Sequence, residues 1–535
     1  MSSRSAPLVL LLALGTAAFA PGCATPAADA STGEDDITTD LLANKKELFE
    51  QEMLFVRITN WAGNPDDLRN LRDDARLGNA EVAVYETNAQ SDEHCPNTGN
   101  KLVFKTKKFA LRTSGNLTNG TPKSSYKLSL EDKEDRLFGM KDLNLKSMWN
   151  DVSQMREAVA WKLFSQAGVA SSQHTYAKLC VEGRKDGQPF TKYMGLYSVI
   201  EQVDKSMLKD HFGKKNDGGN LYKAYHSTGE DLGAATLAYR TAAGDDSGKQ
   251  YKKTANNDAR TYQLKTNAKA DDDAAFQTYD DLATLIRAVN GVTTQGDAVA
   301  KYNTPEYAAA VENVFNVKQF LRWTALNALM GAWDNYWATQ ANYYLYNSGK
   351  KDAADAAMTK PYFSWIPWDY DNTFGIDFHG GNWEKASISD FSAYDGRTSN
   401  MKDLPVLRHV FKNDAFFRYY LDAIEHMNDT LFTAEKITAM TGKLRPRIEK
   451  AAFLEGEFSA PAHTGRQFTN DELARNGFDH RELRRGNSFT LGIEHFVRVR
   501  HDNVAVQIGK LRTDRRMPKG SSNATFPATE EPLPL

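Results

Sequence analysis

The sequence predicts an α+β fold of two lobes, the first strand-rich and the second mainly helical. Two hydrophobic periods carry this expectation. Between about residue 50 and residue 200 apolar residues mostly alternate over strand lengths, and from about residue 275 they recur every three to four positions over helical lengths. The chain has 535 residues, 41% of them apolar, which is enough for two or three domains or one large enzyme with insertions. A mainly disordered chain is excluded.

In the first lobe, residues 46–203, the segments Leu54–Ile58, Glu81–Tyr85, Phe109–Arg112, Tyr126–Leu130 and Tyr176–Val181 are short and rich in β-formers. They are expected to make an antiparallel sheet. One helix is expected to start at Asp151, with Gln154 completing a capping box and Val152, Met155, Val159 and Leu163 on one face. In the second lobe, residues 204–514, helical spacing covers Phe276–Ala288, Tyr307–Met330, Ala415–Met427, Ala434–Leu454 and Leu491–Leu511. Only Asn342–Asn347 and Tyr362–Trp368 read as strands there. The stretch 226–273, rich in Gly, Asp, Thr and Lys, reads as a loop insertion with one strand near Tyr262–Lys265. A small sheet-plus-helix lobe followed by a larger helical one is the arrangement of protein-kinase-like folds.

The termini are expected to lie outside this fold. Arg4 precedes the apolar run Leu8–Ala20, which suits an export signal over residues 1–22 and is too short to span a bilayer. Gly22-Cys23 follows and resembles a lipobox, so Cys23 is the expected lipidation site of a membrane-anchored lipoprotein; the alternative is simple secretion. Residues 23–45 read as a flexible tether. Residues 515–535, with Pro518, Pro527, Pro532 and Pro534, read as a disordered tail. Cys95 and Cys180 are the remaining cysteines, both in the strand-rich lobe, and are expected to pair in an oxidising compartment. Neither sits in a CxxC or HExxH setting, so zinc is not expected. With 66 Lys and Arg against 69 Asp and Glu there is no basic excess, and no nucleic-acid partner is expected.

Residues 333–375 hold the densest set of groups suited to chemistry. Asp334 follows a long apolar helix, Asn342 begins a strand, and Asp369 and Asp371 come after the next one in Trp368-Asp369-Tyr370-Asp371-Asn372-Thr373-Phe374-Gly375. Oxygen ligands beside a separate carboxylate are what magnesium-dependent phosphoryl transfer requires. Asp and Asn also serve turns and caps, so the pattern alone leaves both readings open.

Several ordered segments resemble the CotH spore-coat-kinase family. They are Phe109–Asn116, Ser125–Leu128, Leu143–Lys146 with Asp151 and Met155–Glu157, Gly195–Glu201, Asn220–Lys223 and Trp368–Gly375. The resemblance runs from about residue 50 to about residue 510 and implies an atypical protein-kinase-like fold with ATP and Mg2+ or Mn2+ as cofactors. It implies Asp334 as the catalytic carboxylate and Asn342 with Asp369 or Asp371 as metal ligands. On the first lobe, Lys127 is expected to meet nucleotide phosphates and Glu157 to hold that lysine in an ion pair. Glu201 is expected at the hinge near the base, and Arg112 at the phosphates. The segment Arg112–Asn119 is not the GxGxxG loop of ordinary protein kinases, and no HRD triplet precedes Asp334.

The leading expectation is therefore an exported kinase that phosphorylates Ser or Thr hydroxyls of a surface or envelope protein. The alternative is a non-catalytic envelope protein that keeps the fold as a binding module. Nine Trp and 22 Tyr prompt a third reading, a carbohydrate-associated surface protein, but most of these aromatics fall in periodic segments and read as core.

Overall fold

The alternating segments of the first half pair into one sheet. The computed structural model describes residues 44–526 apart from 64–67, 69–70, 72–78, 88, 90, 92, 97–100, 116–122, 135, 226–234, 241–246, 253–261, 269–276, 293–301, 350–358, 378–380, 392–403, 459–467, 480 and 486–487. Its first eight strands are β1 (Leu54–Ala62), β2 (Glu81–Glu86), β3 (Leu102–Thr106), β4 (Phe109–Ser114), β5 (Ser125–Leu130), β6 (Asp142–Lys146), β7 (His174–Lys185) and β8 (Gln188–Glu201). They lie in the order β3-β2-β1-β7-β8-β6-β5-β4. Neighbours run antiparallel except β1 and β7, which are parallel from Leu54 opposite Ala177 to Ile58 opposite Val181. The wholly antiparallel expectation is corrected at this seam. Five strands separate β1 from β7 in the chain, and so long a crossover permits a parallel pair.

One face of the sheet carries Leu111, Leu128, Leu145, Val199, Val56 and Val84 in a core closed by Leu48 and Phe49 of α1 (Lys45–Glu50). Asn44, expected in the tether, caps α1 by accepting from the Glu47 amide at 3.1 Å. The other face meets α2 (Arg156–Gln166) through Tyr176 and Ile200 in the larger core. This helix begins four residues later than the capping pattern suggests, with Met155 at its N-cap. Asp151 lies outside the N-cap position but accepts from the Arg156 amide, the first of the helix, at 3.0 Å, as well as from the Ser153 amide and the Arg156 side chain, and Gln154 has a left-handed φ of 55°. Every residue from Arg156 to Phe164 is buried, so α2 is enclosed on all sides rather than amphipathic. Cys95 and Cys180 form a disulfide, with Cα atoms 5.9 Å apart.

The second half is helical, with a sheet larger than expected. After α3 (Lys205–Phe212), capped by Asp204, come β9 (Asn220–Ala224) and β10 (Tyr262–Leu264). These join β11 (Tyr343–Asn347) and β12 (Phe363–Pro367) in the order β10-β9-β11-β12, so the expected two-stranded insertion is a four-stranded sheet. The expected helix Tyr307–Met330 is two helices, α5 (Pro305–Val314) and α6 (Val317–Met330), following α4 (Asp280–Val289). The chain extends at Phe315, and Asn316 recaps it by accepting from the Gln319 amide. Trp323, Trp337 and Trp365 are fully enclosed, which places them in the core rather than on a sugar platform.

Beyond the last helix, Ile493–Arg515, the chain packs back on the protein as far as Phe526. The buried Asp422 carboxylate accepts from Arg512 at 2.7 Å and from the Gly520 and Ser522 amides at 3.0 and 2.9 Å, and Phe526 stacks on His426. A disordered tail from residue 515 is thus corrected, because a buried carboxylate holds the segment through its donors. The expected signal, Cys23, the tether to residue 43 and residues 527–535 lie outside the described residues, as does much of 226–273. Among the described residues no helix is long and apolar enough to cross a membrane.

Candidate active site

The end of α6 sets the site. Gly331 adopts a left-handed φ of 58°, and a Cβ there would meet Phe496 at 2.8 Å, so the helix turns sharply where no side chain fits. Asp334 follows three residues later. Its main-chain carbonyl accepts from Asn342 Nδ2 at 2.9 Å, and its Oδ2 accepts from Asn372 Nδ2 at 3.1 Å. Asn150, from the loop before α2, donates in turn to Asn372 at 2.9 Å.

Asp369 and Asp371 flank Tyr370 in the turn after β12. The Tyr370 hydroxyl accepts from Trp323 at 2.7 Å and donates to Asn327 at 3.0 Å, both on α6. This anchors the middle of the turn in the core while its two carboxylates remain half-buried, as is Asp334. The left-handed backbone at Asp369, φ 64°, completes the bend.

Across from these acids stands Lys146, at the end of β6. It forms an ion pair with Asp369, and its Nζ lies 5.8 Å from the Trp368 ring. Burial alone would lower its pKa, but Asp369, Glu157 and Asp371 outweigh burial and raise it. Glu157 accepts from the Tyr370 amide at 3.3 Å. Burial pushes its carboxyl up to about 7, partly offset by Lys146. For Asp371, burial first and Asp369 second push the carboxyl well above the ordinary carboxylate value.

The expected pairing of Lys127 with Glu157 is not formed. Lys127 pairs instead with Asp142 at 2.7 Å. The register explains why: Lys127 stands opposite Asn144, so Asp142 and Lys146 are its two diagonal neighbours on the same face of β6. The lysine whose charge acts on Glu157 is Lys146, one strand nearer. Arg112 stands opposite Lys127 on β4, and Arg112, Lys127 and Lys146 therefore share one face of the sheet. Lys223 of β9 joins this group, its Nζ 5.8 Å from the Tyr344 ring. Burial and then Lys265 lower its pKa to about 8, with Lys146 and Lys127 contributing.

Glu201 does not reach the site. Its register partner is Leu143, so it projects to the face opposite Asn144 and Lys146. There it forms a buried ion pair with Lys45 and accepts from the Gln173 amide at 3.1 Å. The hinge role expected for it is corrected.

The structure thus brings together Asp334, Asn342, Asp369, Asp371 and Glu157, sets Arg112 and Lys127 along the adjoining face, and leaves Glu201 apart. Lys146 and Lys223 were missed as site residues although both lie in recognisable segments. Alternation places Lys146 on the same face as Asn144, but nothing in the sequence ranks it above Lys127.

Among the described residues no three His, Cys, Asp or Glu side chains are grouped so as to hold a metal ion by themselves. The donors present are oxygens of two adjacent aspartates and an asparagine. Such an open set fits Mg2+, which keeps several waters and takes one or two carboxylates together with substrate phosphates.

Carboxylates opposed by lysines over one face of a mixed sheet define the class of site. Over residues 111–472 the chain matches the family described as CotH kinase protein, and it belongs to that family. It is 24% identical over 330 residues to inner spore coat protein H of Bacillus subtilis (strain 168), covering 61% of this chain and 74% of that protein. It is 25% identical over 178 residues to invasin CotH3 of Rhizopus delemar, covering 32% of this chain and 26% of that protein.

Proposed function

We propose that the protein is an exported kinase of a two-lobed, protein-kinase-like fold, transferring the γ-phosphoryl group of ATP to a Ser or Thr hydroxyl of a surface or envelope protein. The observation that carries this reading is the convergence of Asp334, through Asn372, with the Asp369–Asp371 turn opposite Lys146 and Glu157. Spore coat protein H and an invasin among the relatives accord with a surface location, and Cys23 would carry a lipid anchor there.

In this reading Asn342 and one or both of Asp369 and Asp371 hold Mg2+ or Mn2+. When bound, the metal neutralises charge on the phosphate oxygens. Lys146, released from Asp369, meets the phosphates, with Lys223, Lys127 and Arg112 extending the positive wall. Glu157 keeps Lys146 in place. Asp334, oriented by Asn372, accepts the proton of the attacking hydroxyl as the new P–O bond forms, and the bond to the β-phosphate oxygen breaks to release ADP.

The test is γ-phosphate transfer by the purified protein with Mg2+ or Mn2+, compared with Asp334→Ala. The variant is expected to bind Mg-ATP nearly as well and to lose at least about a hundredfold in transfer, because only nucleophile positioning is removed. Nucleotide binding without transfer in the wild type would support the non-catalytic binding module instead.

A further inference from the structure

A cavity of about 1150 Å³ opens between α1, α2, the segment 168–174 and α3, reaching Arg447. Ala158, Trp161, Lys162 and Ser165 line it as one stripe of α2, while Glu157 of the same helix serves the carboxylate cluster.

The cavity is strongly cationic. Seven of its lining side chains are Lys or Arg and three are Asp or Glu. Two of those acids are already paired, Asp210 with Lys45 at 2.6 Å and Glu50 with Lys46 at 3.5 Å. Lys162 is 7% exposed, and its Nζ has no hydrogen-bond partner among the described residues. Its charged neighbours are Lys443, Glu50 and Lys46, two cations to one carboxylate. The buried Ser172 hydroxyl, also lining the cavity, lacks a partner as well. An ammonium left without a partner in so buried a setting is costly, and an anion drawn to the cavity wall that Lys162 lines would supply one. Phe49, Phe138 and Phe212 add apolar wall, and a volume of about 1150 Å³ is far more than one small anion fills.

We propose that this cavity binds an acidic polypeptide segment carrying apolar side chains, with Lys162 as its buried charge partner. Binding does not depend on the kinase reading. Its use does: a segment held there would place an acceptor protein against the helix that carries Glu157.

The test is fluorescence anisotropy of the full chain, without nucleotide, with a labelled Glu/Phe peptide and with the same peptide carrying Lys in place of Glu. The acidic peptide is expected to bind and the basic one not. Lys162→Met is expected to weaken binding at least about tenfold without lowering the melting temperature, because it removes an unpaired buried charge. Lys209→Glu, at the exposed end, provides a second variant and is expected to weaken binding at least about threefold. Wild-type affinity in Lys162→Met or in both variants, no binding of the acidic peptide, or displacement of it by inorganic phosphate at comparable affinity would overturn the proposal. Failure of phosphoryl transfer would leave the anisotropy result standing.

Discussion

Replacing Lys146 and Lys127 separately by Met tests which lysine meets the nucleotide. A unit charge about 4 Å from a phosphate charge is worth about 4 kcal/mol at an effective dielectric of 20. Lys146 must first release Asp369, which takes back part of that gain and leaves about 2 kcal/mol, or roughly thirtyfold in affinity. Lys127 is neutralised by Asp142 at 2.7 Å and lies one strand further away, a spacing of about 4.8 Å. Its loss should change affinity by no more than about threefold. The assay is titration of Mg-ATP by calorimetry, with circular dichroism to verify that both variants fold. Lys127→Met weakening binding as much as Lys146→Met would refute the register argument, and so would a folded Lys146→Met that binds as tightly as wild type.

Three further outcomes rest on the packing. Lys123 and Glu455 form a fully buried pair at 2.8 Å, with Glu455 also accepting from the Leu196 amide. Lys123→Met should cost about 3–5 kcal/mol by leaving that carboxylate uncompensated, seen by calorimetry as a fall of about 3–5 °C for a chain of this size, and Lys123→Met with Glu455→Leu should recover most of it. Cys95 and Cys180 are 85 residues apart in sequence, so replacing both by Ser should cost about 4 kcal/mol in denaturant unfolding under non-reducing conditions. His409 is buried, donates to the Val289 carbonyl and stacks on Tyr302, and burial lowers its pKa to about 4. The unfolded chain, with an ordinary value near 6.5, then binds more protons between those limits. Stability should fall by about 2–3 kcal/mol as pH drops through that window, and His409→Gln should flatten this slope.

Strands whose residues alternate were legible in the sequence, because each of β1, β2, β4 and β5 keeps one face on an apolar core. The β7–β8 hairpin went unread, although its Asp186-Gly187 turn, with φ of 51° and 79°, is a two-residue connection that favours those residues. The start of α2 was not legible, because Asp151 reaches the first helical amide, that of Arg156, from five residues before it, across a bend that the left-handed Gln154 makes. Asp334, Asp369 and Asp371 could be singled out because they crowd a short aromatic segment. The separate fates of Lys127, Lys146 and Glu201 were hidden, since they depend on strand register, which places Lys127 opposite Asn144 and Glu201 opposite Leu143. No local pattern distinguishes one diagonal neighbour from the other.

The parallel seam between β1 and β7 divides the sheet into two contiguous ribbons, β3-β2-β1 from the chain before residue 107 and β7-β8-β6-β5-β4 from the chain after it. The family match begins at residue 111, so the first ribbon lies outside it. Without that ribbon, β7 would present its twelve residues as a bare edge, a template for pairing with other chains. The first ribbon therefore acts as an edge cover for the sheet that carries Lys146, and the Cys95–Cys180 bond fastens that cover to the strand it protects. Reduction would remove that fastening and leave the cover held by the β1–β7 ladder and its apolar face alone.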